Sequence, residues 1–296
     1  MRMVSWNCCW QKEGFTDEKR NEILKLNPDI LVVQECKQDD WEKLNYSSEK
    51  GHWYGDGKES QGDPNKNLGI GIFCKEKYSI DCSLFRGQDL SNMRYAVPYI
   101  IKKKNEEILT IFSVWTKSGY KNYHVPILNS LEYFYEKTNS LIAVIGDFNT
   151  GSQYGNKEND KFYENVKKDL KEKYELENCA FWQEWVPTFH KENDGNYDFY
   201  LDDHCFFEHI RDISSFGMGS WFHWSKHSDH VPIIIDFDDN FYYVEDIHTG
   251  KKSMKLTARI VKSVREIRKD IGWKSFVNEL KRIPTTLKYG NYTEEI

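Results

Sequence analysis

Four separate apolar runs of this 296-residue sequence each adjoin polar residues that can bind a metal or move a proton. They supply two amides, three carboxylates and one imidazole: Asn7, Glu35, Asp147, Asn149, Asp229 and His230. Carboxylate and amide oxygens are the ligands that the hard cations Mg²⁺ and Mn²⁺ prefer. An imidazole beside a carboxylate offers proton transfer. Together these groups meet the needs of phosphoester hydrolysis: neutralised phosphoryl oxygens, an activated water and stabilised charge.

Each segment taken alone also has a purely structural interpretation. Asn7 could be a turn former at a strand end, Glu35 a surface carboxylate, and the segment 228–230 a cap. Asp147 and Asn149 lie two apart, so both project from one side of an extended chain, or they form an Asx turn. A catalytically silent binding module has no physical need for all six residues, so the complete set favours an enzyme.

The composition excludes several classes of protein. Apolar residues make up 39% and charged residues 30% of the chain, which provides for a large core and rules out a disordered chain. No apolar run approaches the length of about 18 to 20 residues that spans a bilayer. The seven cysteines are odd in number, which argues against a disulfide framework. The N-terminus lacks the features of a secretory signal, so we expect a cytoplasmic protein.

Short strands and helices must position these residues. Apolar runs bounded by turn residues predict strands over 3–7, 30–34, 68–74, 95–102, 108–115, 141–145, 199–207 and 231–237. Helical patterns are found at 17–26, 125–137 and 161–174, and the polar segment 56–67 is predicted to be an exposed loop. Strands that end in polar residues favour a β-sandwich core with outer helices and a site built from strand ends.

Six short motifs in this order resemble the endonuclease/exonuclease/phosphatase superfamily, which has the DNase-I-like fold. They are SWN (5–7), QEC (34–36), GIGIF (69–73), GDFN (146–149), DHCF (203–206) and SDHVP (228–232). GDFN followed downstream by SDHVP is far more specific than either motif alone. The resemblance covers about residues 1–238 and suggests a divergent member of bacterial or phage type. It implies an α+β fold, a four-layer α/β/β/α sandwich with a divalent metal at the strand ends.

The resemblance also implies a role for each residue on the metal side of the site. Glu35 would be the principal ligand of Mg²⁺ or Mn²⁺, with Asn7 beside it. Asp229 matches the aspartate of the SDH motif, which is a metal-side or water-positioning group.

The remaining residues would act on the phosphate side. Asp147 would activate or orient the attacking water, and Asn149 would hold a phosphate oxygen. His230 would contact the scissile phosphate as a general acid or as a charged hydrogen-bond donor. Asp203 matches the aspartate of a late family strand, which orients the imidazole and sets its tautomer.

Two positions depart from the family pattern. Trp115 ends the strand 108–115, where many members place His or Tyr near the phosphate. A Trp side chain donates one hydrogen bond and cannot act as a general acid, so this departure argues against a mechanism with a second imidazole or phenol. His204 stands where Tyr is usual, and Asp202 precedes it. Strand alternation puts Asp202 and Asp203 on opposite faces, and the motif alignment favours Asp203 as the residue that faces the site.

The resemblance does not fix the substrate, because the superfamily hydrolyses DNA, RNA, nucleotide tails, phosphoinositides and sphingomyelin. Lys66 and Arg94 are candidate phosphate contacts, although each is also explained as an ordinary surface charge, and Trp115 is a candidate substrate contact. Five late aromatic residues in loop-like segments either pack beneath the loops or form a stacking wall for a base or sugar: Trp182, Trp185, Trp221, Phe222 and Trp224.

Charge divides the chain into an acidic body and a basic tail. Residues 1–239 hold 29 basic and 40 acidic residues, a net charge of −11, whereas residues 240–296 hold 12 and 7, a net charge of +5. We therefore predict a catalytic domain over 1–238 and a basic C-terminal extension over 239–296. Apolar residues three and four apart predict a helix over 255–271 and a second helical stripe before Pro284.

The partners of the extension stay open at this point. It docks on the body or on a second subunit and so mediates self-association, or it contacts nucleic acid, or it contacts a membrane surface without stable insertion. The acidic body lowers the expectation of tight nonspecific nucleic-acid binding. The sequence thus predicts a Mg²⁺-dependent phosphodiesterase acting on DNA or RNA, with a phosphatase or phosphodiesterase on a small phosphorylated substrate as the alternative.

Overall fold

Two six-stranded mixed sheets pack face to face in the computed structural model of the chain. The structure describes residues 1–9, 14–39, 50–55, 68–116, 124–138, 140–151, 157–179, 187–193, 196–208, 213–237, 244–245 and 252–253. The chain divides into two units, Met1–Asp239 and Asn240–Ile296. Both six-stranded sheets belong to the first unit.

The first sheet has β1 and β2 at its centre. Its spatial order is β13 (Ile213–Met218), β14 (Ile233–Phe237), β1 (Arg2–Asn7), β2 (Ile30–Cys36), β4 (Gly69–Cys74) and β3 (Gly51–Gly55). β1 runs parallel to β2, and the other neighbours in this sheet are antiparallel. The predicted strands over 3–7, 30–34, 68–74 and 231–237 all correspond to strands of this sheet.

The second sheet has β7 and β8 at its centre. Its spatial order is β5 (Tyr78–Asp81), β6 (Ala96–Lys103), β7 (Glu106–Trp115), β8 (Leu141–Asp147), β12 (Asp203–Glu208) and β9 (Leu176–Asn178). β6 and β7, which correspond to the predicted strands over 95–102 and 108–115, pair antiparallel, and β7 runs parallel to β8. β1 and β2 contact β8, and β2 and β4 contact β7, so the sheet faces enclose the core.

Helices cover the outer face of each sheet. Helix α1 (Asp17–Lys25) begins after Thr16, whose side chain accepts from the Lys19 N–H, and Ile23 packs against Trp6 and Val33 of the first sheet. On the second sheet, α2 (Val125–Phe134) lies against β6 and α3 (Lys157–Tyr174) lies beside β9. The four-layer α/β/β/α sandwich of the DNase-I-like fold is thereby confirmed.

The prediction of one strand over 199–207 is wrong. β11 (Asn196–Tyr200) pairs with β10 (Phe189–Asn193) in a separate hairpin, whereas β12 begins at Asp203 and pairs with β8. The break arises because the backbone N–H groups of Asp202 and Asp203 both donate to Thr188 Oγ1, at 3.1 and 2.9 Å. Asp202 therefore precedes β12, and strand alternation does not govern its orientation.

The prediction that Trp221, Phe222 and Trp224 lie in loops is also wrong, since they form the short helix α4 (Trp221–Trp224). Trp224 packs edge-on against Trp6 at 5.1 Å between ring centroids and is buried in the core. It is therefore unavailable as part of a stacking wall. Trp182, Trp185 and the predicted loop over 56–67 lie outside the described residues.

Four residues of the C-terminal extension are described. They form the strand pair β15 (Val244–Glu245) and β16 (Lys252–Ser253). The predicted helices over 255–271 and before Pro284 lie outside the described residues. Among the described helices, none has the length and apolar character needed to cross a membrane.

Candidate active site

The ends of β1 and β8 bring polar side chains of the two sheets together. Asn7 ends β1 in the first sheet, and Asp147 ends β8 in the second. The Asn7 Nδ2 donates to Asp147 Oδ2 at 2.9 Å and to Glu35 Oε1 at 3.1 Å. One amide therefore bridges two carboxylates that the sequence places 112 positions apart.

A β-bulge aims Glu35 at this cluster. Along β2, Leu31 and Val33 lie on the face that packs against α1, and strict alternation would put Glu35 there too. Instead, the register against β4 shifts between Gln34 and Cys36, and Glu35 takes a positive φ of 55°. Cys36 then joins the core on the α1 side. The extra residue turns the Glu35 carboxylate toward the strand end, as bulges do beside active sites.

The backbone after Asn7 fixes the orientation of its amide. The Cys9 N–H donates to Asn7 Oδ1 at 3.0 Å, so Nδ2 faces the two carboxylates. As a metal ligand, Asn7 would use its amide oxygen. In this arrangement, the amide nitrogen donates to Glu35 and Asp147, and the oxygen accepts from Cys9. The ligand role of Asn7 stays a prediction, and it requires the second lone pair of Oδ1 or a turn of the amide.

The GDFN segment turns back beneath Asp147. Gly146 has a φ of 140°, and a Cβ there would lie 2.0 Å from the Val114 carbonyl oxygen, so only glycine fits. The Asn149 N–H donates to Asp147 Oδ1 at 2.8 Å, and Asn149 Nδ2 donates to Asp147 Oδ2 at 2.9 Å. An Asx turn is thus present, and it holds both side chains at the strand end.

His230 and Asp203 form a buried pair beside this cluster. His230 Nδ1 lies 2.7 Å from Asp203 Oδ2, and Asp203 is the ladder partner of Asp147 on the neighbouring strand. The imidazole also packs on the Phe189 ring at 4.8 Å between centroids. A carboxylate at Nδ1 sets the tautomer with that proton and leaves Nε2 for other chemistry. The structure thus brings Asp203, rather than Asp202, to the imidazole.

Ser228 and Asp229 join this pair to the end of β1. The Ser228 Oγ donates to the Asn7 carbonyl oxygen at 2.8 Å and accepts from the His230 N–H at 3.1 Å. Asp229 Oδ1 lies 4.0 Å from His230 Nε2, and its side chain is partly exposed. Asp229 therefore faces the open side of the cluster, where a substrate or an ion can approach it.

Negative charge is concentrated away from water in this cluster. Burial raises the pKa of Glu35 and holds the pKa of Asp147 well above its ordinary value. Burial alone would lower the pKa of His230, but the charges of Asp203, Asp147 and Asp229 raise it well above its ordinary value. The imidazole is therefore held in its protonated form, and the carboxylates favour a further cation.

Two overlapping donor groups fit a metal ion. Asp147, Asp203 and His230 offer ligand atoms that all lie within 4.8 Å of one another. Glu35, with Asp229 and Asn7, forms the group that the resemblance implies. The Nδ1 atom of His230 is already bound to Asp203, which favours a proton-transfer pair over two ligands. Buried carboxylates with raised pKa values are the groups that a divalent cation stabilises, so the residues present fit a metal.

Two of the three predicted substrate contacts, Trp115 and Arg94, lie among the described residues. Trp115 is buried, stacks on Tyr95 at 5.3 Å between centroids, and is the parallel partner of Asp147. Arg94 is exposed and precedes Tyr95, whose carbonyl oxygen accepts from the Trp115 N–H at 2.9 Å. Both therefore lie at the same end of the strands of the second sheet as Asp147. Lys66 lies outside the described residues.

Two buried residues support the site without having been predicted. Lys19 Nζ donates to the carbonyl oxygens of Cys8 and Cys9 at 2.8 and 3.2 Å, and its charge offsets a small part of the rise in the Glu35 pKa that burial causes. The spacing of Lys19 and Ile23, four apart on α1, was an available signal, since it puts the lysine on the buried face. Thr188 had no such signal, because its partners Asp202 and Asp203 lie 14 and 15 positions away.

Solved structures of other proteins share this fold. The endonuclease domain of TRAS1, a telomere-specific non-LTR retrotransposon, is 14% identical with a TM-score of 0.54, over 80% of this chain and 97% of that chain. An endonuclease/exonuclease/phosphatase family protein from Leptotrichia buccalis is 17% identical with a TM-score of 0.54, over 80% and 99%. TDP2 from Caenorhabditis elegans is 12% identical with a TM-score of 0.54, over 80% and 74%. Identities this low show the fold alone.

The sequence itself carries the stronger finding. No curated protein sequence matches the chain significantly. The model of the Endonuclease/Exonuclease/phosphatase family, however, matches residues 4–230, which is more than half of the chain and spans the motifs from SWN to SDH. The protein therefore belongs to the endonuclease/exonuclease/phosphatase family.

Proposed function

We propose that this protein is a Mg²⁺- or Mn²⁺-dependent phosphodiesterase, and that its substrate is a nucleic acid. One observation carries the proposal: the buried His230–Asp203 pair lies beside the buried Asn7, Glu35 and Asp147 cluster. An imidazole held by a carboxylate and a set of hard oxygen donors thus meet at one strand end. The family is generally hydrolytic and typically depends on a divalent metal, which supports this interpretation.

The metal side of the site rests on Glu35. Its carboxylate, together with Asp229 and the amide oxygen of Asn7, would hold the ion. When bound, the ion neutralises phosphoryl oxygens and lowers the pKa of a water molecule. Lys19 anchors the backbone after Asn7 through the carbonyl oxygens of Cys8 and Cys9.

The phosphate side of the site rests on His230. Because nearby carboxylates raise its pKa, the imidazolium donates a proton or a charged hydrogen bond from Nε2 to the phosphate or leaving group. Asp203 holds the ring through Nδ1 and acts as a positioning residue. Asp147, whose pKa burial raises, orients the attacking water and accepts its proton. The Asn149 side-chain amide donates to Asp147 Oδ2 and to the Thr116 carbonyl oxygen, and it would give up one of these bonds to hold a phosphate oxygen.

The substrate class is supported by less direct observations. The TRAS1 structure is an endonuclease domain, and Arg94 and Trp115 lie at the same edge as Asp147. The net charge of −11 over residues 1–239 favours a second candidate, a small phosphorylated substrate that needs no basic surface. We also propose that residues 239–296 form a basic helical extension for self-association or nucleic-acid contact, and that the protein acts in the cytoplasm.

A substrate screen tests this proposal. The full chain is assayed with single- and double-stranded DNA, RNA and small phosphoesters, in Mg²⁺, in Mn²⁺ and in excess chelator. We expect metal-dependent cleavage of a nucleic acid, and loss of that cleavage in H230A. Cleavage of small phosphoesters alone would establish the second candidate. Absence of hydrolysis with every substrate and both metals would instead indicate a silent binding module.

The screen needs a matched control for loss of the folded state. Asp236 lies at the opposite end of the first sheet, where it pairs with Arg2 at 2.8 Å. D236N changes one carboxylate to an amide, as E35Q does, but far from the strand-end cluster. Its activity should equal that of the wild type per folded molecule.

A further inference from the structure

The His230–Asp203 pair joins the ends of two different sheets. Asp203 is the first residue of β12 in the second sheet, whereas His230 lies shortly before β14 in the first sheet. The contact of 2.7 Å between His230 Nδ1 and Asp203 Oδ2 therefore depends on how these two sheet ends are held together. A hydrogen bond of this length is lost when its two heavy atoms move about 1 Å further apart.

Thr188 is a fully buried residue that binds the backbone on both sides of this pair. Its side-chain oxygen, Oγ1, accepts from the N–H groups of Asp202 and Asp203 at 3.1 and 2.9 Å. Its carbonyl oxygen accepts from the Val231 N–H at 2.8 Å. A single residue thus holds the start of β12 in the second sheet and the residue next to His230 in the first.

The two residues after Thr188 also contact the segment that carries His230. Phe189 forms a β-bridge with His230 and packs its ring on the imidazole at 4.8 Å between centroids. The His190 N–H donates to the Asp229 carbonyl oxygen at 2.9 Å. The backbone around Thr188 is therefore fixed to this segment at three successive residues, so a change at the Thr188 side chain acts mainly on the β12 side.

The hydroxyl oxygen of Thr188 determines where β12 begins. Buried N–H groups need an acceptor, and Oγ1 serves two of them at once. Without this oxygen the backbone at Asp202 and Asp203 has to shift toward other acceptors. The Asp203 carboxylate would move with its backbone, and its distance from the imidazole would change.

We propose that Thr188 is a positioning residue for the His230–Asp203 pair. Its hydroxyl oxygen places the backbone of Asp203, and its carbonyl oxygen places the backbone next to His230, so that carboxylate and imidazole meet at hydrogen-bonding distance. The expected effect on the rate rests on the proposed function. The expected effect on the hydrogen bond itself does not, because it depends only on the arrangement of the two sheets.

Proton NMR of the His230 ring tests the geometry without an activity assay. A buried imidazole N–H that donates to a carboxylate gives a resonance far downfield, and the resonance of His230 is identified by its loss in H230A. The full chain is measured in excess chelator. The wild type and T188S, which keeps the hydroxyl, should show this resonance. In T188V, which replaces the hydroxyl with a methyl group, the resonance should move upfield or disappear.

Turnover on the best substrate of the screen is the second readout. T188V should lower kcat per folded molecule by up to about 10²-fold, since a displacement of about 1 Å can have an effect of this size. KM should change little, because the substitution removes no substrate contact. T188S should retain most of the turnover. The folded fraction of each variant is measured by thermal unfolding.

T110V is a matched control for the loss of a buried threonine hydroxyl. Thr110 is also fully buried, and its Oγ1 lies 2.8 Å from Ser140 Oγ. Ser140 precedes β8, whose other end carries Asp147, so this contact lies away from the site. T110V should keep both the His230 resonance and the turnover of the wild type, even if its melting temperature falls.

Each remaining outcome decides the inference. An unchanged resonance or unchanged turnover in folded T188V would overturn it, and so would loss of the resonance in T188S or T110V. If T188V does not fold, T188A and T188S provide the same comparison, and unfolding of T188A as well would assign Thr188 to stability and equally overturn it. Absence of hydrolysis by the wild type would refute the proposed function, and the resonance alone would then decide the role of Thr188.

Discussion

The two ends of strand β1 handle charge in opposite ways. At its start, Arg2 pairs with Asp236 and its backbone N–H donates to Asp29, and both carboxylates have lowered pKa values. At its end, Asn7 bridges Glu35 and Asp147, whose pKa values are raised by burial. The first end satisfies its charges within the chain and is structural. The Asn7 end of β1 brings like charges together, and such a grouping is typical of sites that bind an ion or a substrate.

The largest expected effect concerns His230 at the second end. H230A should reduce turnover by about 10²- to 10⁴-fold, the usual contribution of a general acid–base group, with a smaller effect on substrate binding. D203N should cause a smaller loss of the same kind, because it removes the charge that orients the ring and raises its pKa but keeps the ring itself. Steady-state kinetics and thermal unfolding of both variants and the double variant provide the check.

The double variant distinguishes catalysis from structure. If His230 and Asp203 act as one unit, the combined loss is much less than the sum of the single losses. Lower melting temperatures with normal turnover per folded molecule would mean that the pair only stabilises the strand end. W115F should be mild in rate, and a loss as deep as that of H230A would mean that the acid has been misassigned.

Local sequence patterns predicted the positions of the site residues because these lie next to strand ends. The hydrophobic runs that end at Asn7 and Asp147 became strands β1 and β8, and the hydrophobic run that follows His230 became β14. The bulge at Glu35 was not predictable, because it depends on the register between β2 and β4. The amide orientation of Asn7 likewise depends on contacts across the two sheets.

The division of residues 199–207 into two strands was also beyond the reach of local sequence patterns. Residues 199–207 are continuous in β propensity, but Thr188 captures the N–H groups of Asp202 and Asp203 and divides the segment. That contact joins residues far apart in sequence, so no local pattern reports it. Motif resemblance nevertheless placed Asp203 beside the imidazole, because it encodes the long-range arrangement that periodicity lacks.

A second expected effect compares two buried histidines near Asp203. Carboxylates keep His230 protonated, whereas burial lowers the pKa of His204 to about 4. The contribution of a lowered histidine pKa to stability is complete when the pH is above 6.5, the pKa in the unfolded chain. This contribution is lost as the pH falls from 6.5 through the pKa in the folded protein. The loss should reach about 3 kcal/mol of unfolding free energy, at about 1.4 kcal/mol per pKa unit.

Denaturant unfolding of the wild type and H204Q from pH 7 to pH 4 measures this loss. The wild type should lose stability steeply below pH 6.5, and H204Q should be less stable at pH 7 but show a flatter profile. Parallel profiles for the two proteins would contradict the neutral, buried state of His204.

The third effect concerns the pH dependence of stability, which has opposite signs for the carboxylates at the two ends of β1. A raised carboxylate pKa means that Glu35 favours the fold below its unfolded pKa and opposes it once the pH rises through the folded value. In excess chelator at neutral pH, E35Q should therefore melt at or above the temperature of the wild type. With metal at about 100 times its Kd, the wild type should gain about 2.7 kcal/mol, and E35Q should gain far less.

The smallest effect lies at the start of β1. The lowered pKa of Asp236 stabilises the fold above its unfolded value, and this contribution is lost as the pH falls through the folded value. D236N should reduce the unfolding free energy by up to about 1 kcal/mol at pH 7, because the pair with Arg2 is partly exposed. Stabilisation by D236N, or marked destabilisation by E35Q in chelator, would remove the contrast between the two ends.

The rate of phosphodiester hydrolysis as a function of bound metal tests the central claim most directly. The wild type, E35Q and D236N are assayed on the best substrate of the screen, first in excess chelator and then after Mg²⁺ or Mn²⁺ is restored. The wild type and D236N should lose all activity in chelator and regain it with metal, and E35Q should stay nearly inactive at metal concentrations that saturate the wild type. Full activity of the wild type in excess chelator, or wild-type metal dependence in E35Q, would contradict the account.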